Sequence, residues 1–173
     1  MQSNRRHAQD IKTLQRVVAA QSHLIERLSV NQAFGCLTRQ ALDVLLEVMP
    51  LDGLGVVFWD VDYLKQANDR WGKTESSARI KEAIKSRATD CVAGQVWSGD
   101  EMIAFPPLAE AEQMAGRLYQ AFLAQRMSAT FVVTEVQPGE TPTELLKRVD
   151  HLCSIHKDLG QRGLIHVHMG DTP

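Results

Sequence analysis

Apolar residues near the start of the chain recur in alternating steps of three and four. Ile11, Leu14, Val18, Ile25 and Leu28 share one seam, Gln21 fills its polar slot, and Arg and Glu residues flank it. The spacing predicts a helix over residues 4–28 with a heptad seam. Such a seam has two readings: an amphipathic helix packed on its own domain, or a short parallel coiled coil joining two copies. With so few heptads the coil is marginal alone. The pattern stops in the stretch SVNQAFG. This divides the chain into an N-terminal helix over 1–32 and a globular domain over 33–173.

Within the globular part the period switches repeatedly. LTRQALDVLLEVMP is an amphipathic helix ended by Pro50, and LGVVFWDVD reads as a buried strand ending in two acids. YLKQANDRWG turns into a helix, and TESSARIKEAIKSRA continues it. GQVWSGDEMIAFPP holds two short strand-like runs around a hairpin turn signal at Ser98-Gly99-Asp100-Glu101. A helix (LAEAEQMAGRLYQAFLAQR) and a strand (MSATFVVTEVQPG) follow. The last helix is read as capped at Thr143, with Pro142 just before it, and closed at Gly160; LIHVHM is a final strand. Strands alternating with helices, plus one hairpin, predict an α/β (α+β) sandwich, a sheet with helices on its faces.

Composition narrows the function. The chain has 173 residues, 44% hydrophobic and 23% charged, the profile of a globular protein that needs no disulfide or metal staple. A formal net charge of −2 argues against a general nucleic-acid or membrane-surface binder. Cys36, Cys91 and Cys153 match no metal spacing or disulfide framework, which fits a reducing compartment. No apolar run approaches the roughly 20 residues that span a bilayer. The polar opening leads into no secretory signal, so a cytoplasmic location is expected.

The strand-end acids carry the chemistry. Asp60 and Asp62 alternate on one strand and so point to the same side of the sheet. Asp100 and Glu101 sit in the hairpin, where adjacent strand ends would bring carboxylates together. Like charges that close need a cation. Oxygen ligands without His or Cys favour Mg²⁺ or Mn²⁺ beside substrate phosphates. The competing reading is ordinary turn acids facing water.

The run W-D-V-D-Y-L-K-Q-A-N-D-R-W-G, followed by S-G-D-E-M in a hairpin, resembles the GGDEF domain, the diguanylate cyclase module. F-G-C-L-T-R-Q-A-L and T-E-L-L-K-R-V-D-H-L-C-S-I-H-K-D-L-G resemble the family's opening and closing motifs, in order, from about Phe34 to Val167. The resemblance implies a five-stranded sheet flanked by helices, similar to the palm of nucleotide cyclases and polymerases. It also implies an N-terminal helix that pairs subunits. The implied activity joins two GTP molecules across a homodimer into a 3′,3′-cyclic dinucleotide, with two Mg²⁺ or Mn²⁺ ions per half-site.

By the same resemblance Asp60, Asp100 and Glu101 are the catalytic acids. The metal ligands are Asp60, the Val61 carbonyl, Asp100 and Glu101, with Glu101 as ligand or base. Tyr63, Leu64 and Lys65 form the phosphate turn at a helix start, Lys157 is the phosphate lysine, and Asn68 bonds the guanine. The chain also departs from the pattern. Ser98 and Met102 replace a Gly and a Phe of the signature, and Gln161 stands at the phosphate arginine, with Arg162 one place late. Ser77 stands where an Asp reads guanine. In that it resembles a subgroup making cyclic GMP-AMP, which would add ATP as a substrate. Arg87-Ala88-Thr89-Asp90 has the form of the family's inhibitory product site at a longer spacing. The alternative to an active cyclase is a degenerate GGDEF domain, a nucleotide sensor or dimerisation module without turnover. His166 and His168 face one side of the last strand; solvent exposure is the expected reading and a two-histidine metal site the sharper one. His151 and His156 lie on the last helix without an acidic partner.

Overall fold

The structure is a computed structural model. It describes residues 14–15, 18, 21–22, 24–25, 27–31, 33–86, 91–97 and 100–170. The described residues among 14–29 are helical. Then come β1 (Val30–Asn31), β2 (Cys36–Leu37), α1 (Arg39–Leu46), β3 (Gly55–Asp62), α2 (Leu64–Trp71) and α3 (Lys73–Ile84). The hairpin strands β4 (Val92–Gln95) and β5 (Glu101–Phe105) lead through one 3₁₀ turn to α4 (Ala111–Ala124). The chain continues with β6 (Ser128–Glu135), α5 (Pro142–Asp158) and β7 (Ile165–His168).

One sheet runs in the order β1-β2-β4-β5-β3-β6-β7. Strand β3 lies between antiparallel β5 and β6, and its alternation builds two cores. Val57, Trp59 and Val61 face α3 and α4 through Ile80, Met114, Leu118 and Phe122. Val56 and Phe58 face α1 and α5 through Leu42, Leu46, Leu145, Leu146 and Val149. A sheet buried on both faces explains why β3 reads as an almost continuous apolar run. The α+β sandwich is as expected, with corrections in detail. The sheet has seven strands where about five were expected. The added pair, β1 and β2, is two residues per strand, too short for a period-two signal. The helix expected to run on from YLKQANDRWG breaks at Gly72, whose φ of 81° only glycine adopts without strain. The cap of α5 is Thr141, not Thr143. Thr141 is extended, its hydroxyl accepts from the Glu144 N–H, and Glu144 returns a bond to the Thr141 N–H. Pro142 then sits in the first turn, where its missing N–H costs nothing.

Candidate active site

The ends of β3 and β5 meet in register, Asp60 opposite Glu101. Both side chains lie on the α5 face, since the neighbouring Phe58 and Ile103 belong to that core. The structure therefore brings Asp60, Asp100 and Glu101 together as the sequence suggested. It adds Asp150, from one turn of α5 above the sheet. Their mutual influence is visible in their acidities. Burial, then the Asp60 charge, raises Asp100 above the ordinary carboxylate range. Burial, then Asp60, Asp150 and Asp100, pushes Glu101 up to about 7. Asp150 is raised by burial and then by Asp60.

Lys157, on α5, supplies the compensating charge. Its Nζ lies 2.6 Å from Asp60 and 3.3 Å from Asp62, and its side chain is only 10% exposed. Contact with both acids fits their position on one side of the sheet. Asp62 itself is an anchor. Its carboxylate accepts from Ser128 Oγ (2.9 Å), Thr130 Oγ1 (2.9 Å) and the Gly163 N–H (3.0 Å), and it pairs with Arg162 at 3.6 Å. A buried carboxylate with this many donors ties β3 to β6 and to the turn before β7. Gly163 suits that turn: φ is 66°, and a Cβ there would lie 2.8 Å from Ser128 Oγ.

The remaining predicted residues surround this centre. Tyr63 adopts a left-handed backbone (φ 56°) that turns the chain out of β3 into α2, and no side chain caps the helix. The first-turn N–H groups at Leu64 and Lys65 are thus available to an anion. The Arg162 guanidinium lies 5.8 Å from the Tyr63 ring centroid, on the same side of the site. Asn68 is half-buried on α2, and its carbonyl accepts from the Gly72 N–H. Ser77 lines a groove of about 420 Å³ on α3 with Ala33, Lys73, Thr74, Ala78 and Lys81; Asn68 is outside that lining. Gln161 is engaged elsewhere, its side-chain oxygen 2.7 Å from His156 Nδ1. Ser98, Gly99 and the Arg87–Asp90 stretch lie outside the described residues.

One expectation is corrected. His166 and His168 are half-buried beneath α5, stacked against or facing His156, rather than standing in solvent. Sequence reasoning also missed Asp150, the Lys157–Asp60 pair and the anchoring role of Asp62. The only prior signal for the last was its place two residues after Asp60.

The donor set fits a hard dication. It is all oxygen, and carboxylates that raise one another's pKa gain from a second positive charge. Among the described residues, however, no group of three His, Cys, Asp or Glu side chains is drawn together closely enough to hold an ion. The Lys157 ammonium rests on Asp60 instead.

No family model matches the chain, and no curated protein matches it. Solved structures do. The coiled coil and GGDEF domain of DgcB from Caulobacter crescentus, in complex with c-di-GMP, superposes with a TM-score of 0.75 at 17% identity; the match covers 97% of this chain and 100% of that one. The diguanylate cyclase SiaD from Pseudomonas aeruginosa, in complex with its activator SiaC, gives 0.67 at 20% identity over 95% of this chain and 75% of that one. LapD from Vibrio cholerae (S helix-GGDEF-EAL, bound to c-di-GMP) gives 0.71 at 14% identity, over 92% of this chain and 41% of that one. At these identities the likeness assigns the fold: a GGDEF-type α+β domain. Among the described residues no helix is long and apolar enough to cross a membrane.

Proposed function

We propose that the chain is a dinucleotide cyclase. It condenses two purine nucleoside triphosphates, each 3′-hydroxyl attacking the other's α-phosphate, and releases two pyrophosphates and one 3′,3′-cyclic dinucleotide. The observation that carries this reading is the in-register meeting of Asp60 and Glu101 with Asp100 beside them. Asp60, the Val61 carbonyl, Asp100 and Glu101 would hold Mg²⁺ or Mn²⁺. Ions bound there neutralise charge on the transferring phosphoryl group and acidify the attacking hydroxyl. Glu101, which burial and the neighbouring carboxylates push up to about 7 in the metal-free site, would serve either as a metal ligand or as the base that accepts that proton. The Leu64 and Lys65 N–H groups, with the Lys65 ammonium, receive the β- and γ-phosphates at the α2 N-terminus. Arg162 flanks the same turn. Lys157, which pairs with Asp60, would be freed to meet a phosphate oxygen if a cation took over the Asp60 charge.

Each subunit holds half a reaction, so the working unit is a homodimer. The N-terminal helical segment supports this: the seam residues Leu14, Val18, Ile25 and Leu28, and Leu24 beside them, are all more than half exposed among the described residues. Ser77 sets the base choice. An Asp there would accept from the guanine N1–H and 2-amino group and meet adenine acceptor to acceptor. A serine hydroxyl donates as well as accepts. Products from GTP alone and from GTP with ATP are therefore c-di-GMP and a mixed cyclic GMP-AMP.

Asp100→Asn tests the reading. With Mg²⁺ and GTP, with and without ATP, chromatography of the products is expected to give a loss of at least about 10²–10³ in turnover at unchanged circular dichroism. Turnover within tenfold of the parent overturns the assignment. Ser77→Asp is expected to remove the adenine-containing product. A second reading, a nucleotide-binding domain without turnover, is favoured by the Lys157–Asp60 pair and by Gln161's engagement with His156. It predicts no product from the parent while GTP still binds.

A further inference from the structure

Helix α1 begins beside the hairpin of Asp100 and Glu101. Leu37 pairs with Gly94 of β4, Thr38 caps α1 by accepting from the Ala41 N–H, and Arg39 is the first helical residue. Close packing fixes how α1 lies on β4, since a Cβ on Gly94 would stand 3.0 Å from Leu42 Cβ. Arg39, Leu42 and Asp43, at spacings of three and four, share that side of the helix. The Arg39 Nε donates to both Asp43 carboxylate oxygens, at 2.7 and 2.8 Å. Its Nη1 donates to the Val96 main-chain carbonyl, and its guanidinium lies 4.5 Å from the Trp97 ring centroid. The N–H of the same Val96 donates to the Glu101 carbonyl at 3.0 Å. One residue therefore stands between Arg39 and the acid that faces Asp60.

We infer that Arg39 is a positioning residue for the active site: it grips the β4 arm of the hairpin at Val96 and Trp97, and through Val96 it holds Asp100 and Glu101 against Asp60. The role in catalysis rests on the cyclase reading. The β4–β5 ladder runs only to Gln95 and Met102, so the arm beyond depends on the Val96–Glu101 bond and on whatever holds Val96. A carbonyl that accepts from a guanidinium is held more firmly than one that accepts from a neutral donor. Asp43 keeps the guanidinium in place by taking its Nε edge, which leaves Nη1 for Val96 and a flat face for the Trp97 ring. The Asn31 side-chain amide steadies the same strand by donating to Gln95 Oε1 at 2.9 Å. Lysine could not replace Arg39, because a single ammonium has no fork to divide among an acid, a carbonyl and a ring. The contacts of Arg39 are with α1 and the hairpin, away from the phosphate turn and the Ser77 groove. Its loss should therefore fall on the chemical step rather than on nucleotide binding.

The test compares the full chain with Arg39→Met, which keeps the aliphatic stem and removes the fork. Amide hydrogen exchange read by mass spectrometry is expected to speed at least about tenfold over β4 and β5 and to change less than about twofold over α4 and β6. With Mg²⁺ and GTP, kcat should fall at least about tenfold while KM for GTP changes less than about threefold, because a small misplacement of reacting groups costs rate rather than binding. Arg39→Lys should restore neither measurement. Trp97→Leu touches only the stacked ring and leaves α1 intact, so it serves even if Arg39→Met does not fold; it should speed exchange over the same two strands by about threefold. Exchange that speeds evenly through the domain, a hairpin that exchanges as in the parent, unchanged kcat, or full recovery with Lys overturns the proposal and leaves Arg39 as packing between α1 and the sheet. A parent without turnover would overturn the cyclase reading and with it the role in catalysis, while hydrogen exchange alone still decides whether Arg39 holds the hairpin.

Discussion

Replacing Glu101 by Gln keeps the side chain's size and deletes one negative charge from a crowded cluster. In the folded protein burial, Asp60, Asp150 and Asp100 raise Glu101 from 4.5 to about 7. At 1.36 kcal/mol per pH unit the strain of ionising it in place is at most about 3.4 kcal/mol. Glu101 is only half-buried, and solvent screening reduces this to about 1 kcal/mol. Between pH 4.5 and about 7 the folded chain keeps a proton that the unfolded chain releases, so its contribution to stability falls as pH rises through that window. Below it both states hold the proton; above it neither does. Glu101→Gln is therefore expected to match the parent near pH 4 and to exceed it by about 1 kcal/mol at pH 8, a gain of about 2–4 °C in thermal midpoint for a chain of this size. Thermal and urea unfolding followed by circular dichroism, in chelator and at several pH values, read the difference directly. Titrating groups remote from the cluster act alike in both proteins and cancel, so the difference reports Glu101 and the carboxylates coupled to it. Added Mg²⁺ should stabilise the parent more than the variant, and turnover should be lost. A variant no more stable than the parent at pH 8, or a gap that does not shrink on acidification, refutes the crowded-carboxylate account.

Lys157→Met removes the ammonium that Asp60 and Asp62 share, leaving buried carboxylates uncompensated. A loss of about 3 kcal/mol in urea unfolding at pH 8 is expected, with a smaller loss at pH 5, where Glu101, pushed up to about 7, holds a proton and the cluster carries one negative charge fewer. Equal loss at both pH values would show that packing, not charge, is what Lys157 contributes. Gly163→Ala forces a side chain onto a φ of 66° and against Ser128 Oγ, disturbing the N–H bond to Asp62; about 1–3 kcal/mol of destabilisation is expected, read from the urea midpoint at constant slope. Deleting Met1–Leu28 should weaken self-association in sedimentation and lower activity per subunit at low protein concentration, because tethering raises the effective concentration of the partner. Activity strictly proportional to enzyme, with no loss on truncation, would contradict this.

Much of the fold was legible because burial writes itself into local pattern. The apolar run of β3 follows from its cover on both faces. The amphipathic stripes of α1, α4 and α5 follow from their one-sided packing. The acids of the site were legible by position, Asp60 at a strand end and Asp100 and Glu101 in a hairpin turn, since charge at the end of a buried strand demands a reason. The break between α2 and α3 was less visible, because a single Gly72 between two helical stretches is tolerated as often as it interrupts. The pairing of β1 with β2 was invisible, because two residues carry no period.

Sequence alone determined which residue types stood at which element ends, and so an oxygen-rich centre beside a helix start. Tertiary structure decided who neutralises whom. Lys157 reaches Asp60 across most of the domain, Asp62 becomes an anchor through Ser128, Thr130 and Gly163, and His156 joins the two strand histidines while Gln161 turns to serve it. These contacts depend on how α5 lies over the sheet and on the register of β3 with β5 and β6. Both are set by the summed packing of two cores rather than by any local spacing.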